Sequence, residues 1–70
     1  MKQIRIVDDG RYLHHGIGYT EHDGYGGTAD HKNRVSQKGL IAYHASQMTD
    51  GEQYEVVVNG KSRGVFTKAK

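Results

Sequence analysis

The stretch from Tyr54 to Phe66 constrains this chain more than any other, because it sets two strand-forming runs on either side of Asn59-Gly60. Asn-Gly accepts the positive φ angles of a type I′ turn, and that turn shares the twist of the strands it joins. A hairpin centred there pairs Val58 with Lys61, Val56 with Arg63 and Tyr54 with Val65. Alternation along each strand then collects Tyr54, Val56, Val58 and Val65 on one face and leaves Val57 and Phe66 on the other. The first is the expected core face, with Lys61 and Arg63 extending past its edge near the tip.

A single hairpin is marginal in water and needs further layers. Residues 2–19 supply a second one: Gln3 to Val7 favour a strand, Asp8 to Arg11 have turn chemistry, and Tyr12 to Tyr19 can return. Gly16 and Gly18 weaken the return strand and mark an irregular edge or a close backbone approach. Residues 33–48 read as a helix whose apolar stripe runs through Leu40, Ile41, His44 and Met48, with Tyr43 at its edge. Gly39 inside that helix costs about 1 kcal/mol relative to alanine, so a helix starting near Ser36 is an alternative to an unbroken one. Thr49-Asp50-Gly51 provides the stop. The expected fold is α+β, a small antiparallel sheet of two hairpins with one helix packed on one face. An all-β chain with residues 39–45 as a strand is the alternative.

Such a domain has little to bury. Ile, Leu, Val and Phe make up 13 of the 70 residues, close to the roughly 20% level below which chains with large net charge stay unfolded. The formal net charge is only +2, so a folded single domain spanning 1–70 is expected, with a thin core. There is no cysteine to staple it, which leaves a partner or a second copy of the chain as the source of extra stability. Charges begin at residue 2 and no apolar run of signal length follows, so a cytoplasmic protein without membrane insertion is expected.

Residues 20–31 are rich in glycine and polar side chains and read as a loop, long for so small a domain. His14, His15, His22 and His31 lie in or beside it, with Glu21, Asp23 and Asp30, a donor set that zinc could use. Their spacing matches no standard ligand pattern, and surface histidines account for the same residues, so neither metal nor cofactor is expected. Gly16-Ile17-Gly18 and Gly24-Tyr25-Gly26-Gly27 suggest a phosphate cradle but match no nucleotide fingerprint. A nucleotide-binding oligomer with Tyr19 or Tyr25 stacked on a base is therefore a minor alternative. Ser36, Ser46 and Ser62 sit in no nucleophile elbow, and Asp8-Asp9 reads as a turn, so catalysis is not expected.

Two binding classes remain. Lys32, Arg34 and Lys38 near the helix start, with Lys61, Arg63 and Lys68 in the last hairpin, could form one basic surface for nucleic acid. Interleaved acids, among them Glu52, Glu55, Asp23 and Asp30, weaken that reading. Protein binding takes the larger share, since tyrosine and arginine concentrate at interface hot spots. The expected contact surface comprises Tyr12, Tyr19, His22 and Tyr25 with Arg63 beside them. The profile suits a small non-enzymatic accessory protein that binds and modulates or inhibits a larger complex. Such proteins occur in bacteria, phages and mobile elements, where some block host defence systems such as restriction and CRISPR complexes.

Overall fold

The computed structural model describes residues 1–19, 24–30 and 35–69. They form five strands and one helix: β1 (Lys2–Asp8), β2 (Tyr12–Gly18), β3 (Gly27–Asp30), α1 (Gln37–Ser46), β4 (Gln53–Val58) and β5 (Lys61–Thr67). The strands make one mixed sheet in the order β3-β2-β1-β4-β5. The fold is a small α+β domain in which sheet predominates, and no helix of the described residues is long and apolar enough to cross a membrane.

The sheet departs from the expected antiparallel pair of hairpins in three ways. First, β1 and β4 run parallel, from Lys2 opposite Tyr54 to Ile6 opposite Val58. Parallel neighbours need a long crossover, and the chain between Asp8 and Gln53 supplies it through β2, β3 and α1. The central position falls to β1, whose Ile4 and Ile6 are fully buried. The turn after β4 is tied to the end of β1: Asn59 N–H donates to Ile6 O at 2.8 Å, and Asp8 N–H donates to Asn59 Oδ1 at 2.8 Å.

Second, part of the segment read as a loop is a strand. β3 pairs with β2, setting His14 opposite Thr28 and Leu13 opposite Ala29. Third, the last hairpin carries a bulge. Its turn is as expected, with φ of 52° at Asn59 and 80° at Gly60, and Val58 faces Lys61. Beyond Val57 opposite Ser62 the register shifts, so that Val56 faces Gly64 and Tyr54 faces Phe66. Arg63 is the extra residue, and Gly64 takes the accompanying φ of 119°. One added residue inverts every later side chain, which moves Phe66 to the face of Tyr54 and Val65 to the face of Glu55.

Helix α1 begins where Ser36 caps it, its side-chain oxygen accepting from Gly39 N–H at 2.9 Å. Gly39 therefore sits in the first turn, where a Cβ would lie 3.2 Å from Ser36 Oγ. The helix lays Leu40 on Ile6, Leu13, Val56 and Val58, with Val35, Ile41, Ala29 and Tyr54 around this cluster. At its far end Gly51 turns the chain with φ of 84° and donates its N–H to Lys68 O.

Candidate binding groove

Helix α1 does not cover the whole sheet. Between its N-terminal half and the β4–β5 hairpin lies a groove of about 370 Å³, lined by Gln37, Lys38, Ile41, Tyr54, Val56, Val58, Arg63 and Phe66. A volume of this order is at the lower end of ligand pockets, about 300–1,000 Å³. The floor is apolar: Val56 and Val58 from β4, Ile41 from the helix, and the Tyr54 and Phe66 rings, whose centroids lie 5.9 Å apart. Phe66 remains 45% exposed. Its place in the groove depends on the bulge, because an unbroken register would send it to the opposite face.

Among the described residues, the charged ones in the lining are both cations, Lys38 on α1 and Arg63 at the bulge. Nearby carboxylates belong to other contacts. Asp8 Oδ2 accepts from Gln37 Nε2 at 3.0 Å, and Glu55 lies on the opposite face, taking Gln3 Nε2 at 2.9 Å and Ser62 Oγ at 2.8 Å.

The residues singled out in the sequence are scattered relative to this groove. Arg63 lines it, whereas Tyr12 and Tyr25 lie on the face of the sheet opposite the helix. Tyr19 sits at the far end of β2, with Lys2 Nζ 5.9 Å from its ring centroid, in a more polar depression shared with Glu52 and Thr67. Lys2 also pairs with Glu52 at 3.2 Å. The Thr49 backbone N–H bond first, then Lys2, holds the Glu52 carboxyl below its ordinary pKa. Of the six basic residues, Lys38 and Arg63 meet in the groove. Lys61 is exposed at the tip of the same hairpin, and Lys68 pairs with Asp50 at 3.4 Å. Glu21, His22, Asp23, His31, Lys32 and Arg34 lie outside the described residues.

Two histidine constellations appear that spacing did not reveal. His15 Nδ1 and His44 Nε2 hydrogen-bond at 2.8 Å across the helix–sheet junction. Burial, and then repulsion from His15, lower the His44 pKa. On the opposite face Asp9 Oδ2, His14 and Thr28 Oγ1 form a line of contacts, each of 3.2 Å. Direct cross-strand pairing explains the second contact. Asp9 is a turn residue whose Oδ1 takes the N–H groups of Tyr12 and Arg11. These two backbone bonds, Tyr12 first, lower its pKa from the ordinary 3.8 to about 2. All three side chains meet water, so the line has no enclosed site in which to tune a nucleophile. Among the described residues no three His, Cys, Asp or Glu side chains gather as metal ligands would.

Sequence reasoning missed Ile41, Tyr54 and Phe66 as groove residues because it assigned the first two to the core and Phe66 to the other face. The available signal was Arg63-Gly64, a pair able to form a bulge within a strand.

Fold and groove define a small α+β domain with an apolar cleft rimmed by cations. No protein-family model matches the chain, no curated protein matches it, and no solved structure matches its fold.

Proposed function

We propose that this chain is a non-enzymatic accessory protein that uses the α1–β4–β5 groove to bind a larger protein complex and modulate or inhibit it. The observation that carries this reading is the apolar surface that Ile41, Tyr54 and Phe66 leave uncovered above the buried Val56 and Val58. In a chain with only 13 Ile, Leu, Val and Phe residues, Ile41, Val56, Val58 and Phe66 line a cleft together with Tyr54. Apolar surface gathered in one place and rimmed by polar groups is the usual mark of a binding site. Aromatic and arginine side chains, present here as Tyr54, Phe66 and Arg63, are the types that concentrate binding energy.

The test is affinity capture from cells that carry the protein naturally, with a nuclease-treated sample in parallel, using wild type, Ile41→Glu and Phe66→Glu. The expected result is a nuclease-resistant protein complex retained by wild type and reduced about tenfold or more by each variant, a loss typical of a hot-spot change. Thermal melting of each variant checks that it folds. Capture that is indifferent to both variants overturns the reading.

A further inference from the structure

Taking the groove as the binding surface, as above, we infer that its occupant is an acidic, apolar segment of a partner protein: an aromatic or leucine side chain seated on the floor, with Asp or Glu carboxylates beside it at Lys38 and Arg63. The argument rests on charge complementarity. The floor supplied by Ile41, Val56, Val58, Tyr54 and Phe66 rewards a side chain with no charge, and among the described residues the charged ones in the lining are both cations. The two differ in what they offer. Arg63, held at a bulge, presents a planar fork that suits a carboxylate bidentately, whereas Lys38 presents a point charge on a flexible stem. Asp8 is bonded to Gln37, and Glu55 to Gln3 and Ser62 on the other face; among the described residues the groove lining holds no carboxylate.

Other occupants fit less well. Nucleic acid needs a row of cations along its phosphates, and most of this lining is aliphatic or aromatic. A second copy docked groove to groove would bring the cations of one rim into the neighbourhood of those of the other, with no carboxylate among the described lining residues to offset them. A basic peptide would be repelled by the same rim.

The probe is a displayed library of random short peptides, panned on the folded wild-type protein. Enrichment of sequences that combine Asp or Glu with Phe, Tyr, Trp or Leu is expected. The best of these, made synthetically and labelled, should bind about tenfold or more weakly to Lys38→Glu/Arg63→Glu and to Phe66→Glu, and unchanged to Arg11→Glu, a charge reversal outside the groove. Lys38→Gln/Arg63→Gln, which removes charge without reversing it, should fall between. Absence of enrichment, enrichment with no acidic bias, indifference to the Lys38 and Arg63 changes, displacement by oligothymidylate, or a dimer in sedimentation that closes the groove would each overturn the inference. In the native-cell capture, a complex lost with Ile41→Glu and Phe66→Glu but retained by Lys38→Gln/Arg63→Gln sinks this inference and leaves the proposed function standing. A complex retained by all of them sinks both.

Discussion

The two faces of the sheet are covered by different means. On one, Ile6, Leu13, Val56 and Val58 project towards a helix and close over Leu40 in an ordinary layer of aliphatic side chains. On the other, residues 24–26 lie directly on the strands. Gly16 admits them, since a Cβ there would come within 2.8 Å of Gly26 N and 2.9 Å of the Tyr25 Cα. Beneath that segment Arg5 is only 4% exposed, one amino group donating to Gly24 O at 3.2 Å and the guanidinium carbon 5.7 Å from the centroid of the Tyr25 ring. A chain with too few apolar residues for two hydrophobic layers builds one. It covers the other side by bringing backbone close to backbone and setting a buried guanidinium against a backbone carbonyl and a tyrosine ring. The groove lies on the aliphatic side, where the ten-residue helix covers Val56 and Val58 of β4 but leaves Phe66 of β5 half exposed.

The largest test of this contrast is side-chain truncation. Leu13→Ala should cost about 2–5 kcal/mol in urea unfolding, the usual range for a buried leucine. Leu13 is fully buried in the cluster beneath the helix. Val65→Ala, on the opposite face and 52% exposed, should stay within about 0.5 kcal/mol. Similar losses at both sites would mean that the faces are not built differently.

A smaller change probes the glycine-covered face. Gly16→Ala should cost about 1–3 kcal/mol, the usual penalty of overpacking, because the added methyl meets backbone that cannot rotate away. It should also speed proteolytic cleavage within residues 24–26. Gly24→Ala, where a Cβ meets nothing within 4 Å, is the matched control and should leave both measurements nearly unchanged. If the two substitutions behave alike, close backbone approach is not what holds this face together.

How much of this could be read from the sequence follows from how local each determinant is. Asn59-Gly60 specified its turn outright, because positive φ is a property of those two residues. Ser36 was readable as a helix start, and capping resolves the objection raised by Gly39: the glycine lies beside the cap, not in the helix interior. The parallel pairing of β1 with β4 was not legible, since it joins segments about fifty residues apart and no local pattern encodes which strand lies beside β1. Gly27-Thr28-Ala29-Asp30 lacks the β-branched alternation that announces a strand and pairs only because β2 offers an edge. The groove is half visible in the sequence: Lys38 and Arg63 carry binding chemistry, but the shift at Arg63 that turns Phe66 towards the groove is a single-residue event that alternation cannot foresee. The His15–His44 bond likewise depends on tertiary placement of residues 29 apart.

Helix capping ranks next in size and sharpens the account of the helix-covered face. Ser36→Ala should destabilise by about 1 kcal/mol, the common value for a lost N-cap. Because α1 forms one wall of the groove, the same variant should weaken binding of any groove ligand along with stability. Ser46→Ala, at the other end of the helix, removes a 2.6 Å bond to Tyr43 O and should leave groove binding unaffected.

The smallest effects come from pH, and they separate the two faces by where they fall on the scale. His44 on the helix-covered face has a folded pKa below the ordinary 6.5, chiefly through burial. The unfolded chain therefore binds the proton more readily, and stability that is full above about pH 6.5 is lost as pH falls towards the folded value. The His15–His44 bond needs one ring nitrogen bare, so protonating both rings breaks it and sets two cations together. The pair is half exposed, which keeps the effect modest through solvent screening. Asp9, on the opposite face, has a folded pKa of about 2 against an ordinary 3.8, so its contribution is present above pH 3.8 and disappears between there and about 2. Melting temperature followed across pH should show two separate declines, one below 6.5 reduced by His44→Gln and one in the carboxylate range, to which Glu52 also contributes, reduced by Asp9→Asn. A single decline that neither variant alters would mean that the two faces share their acid response, and that these contacts do not set it.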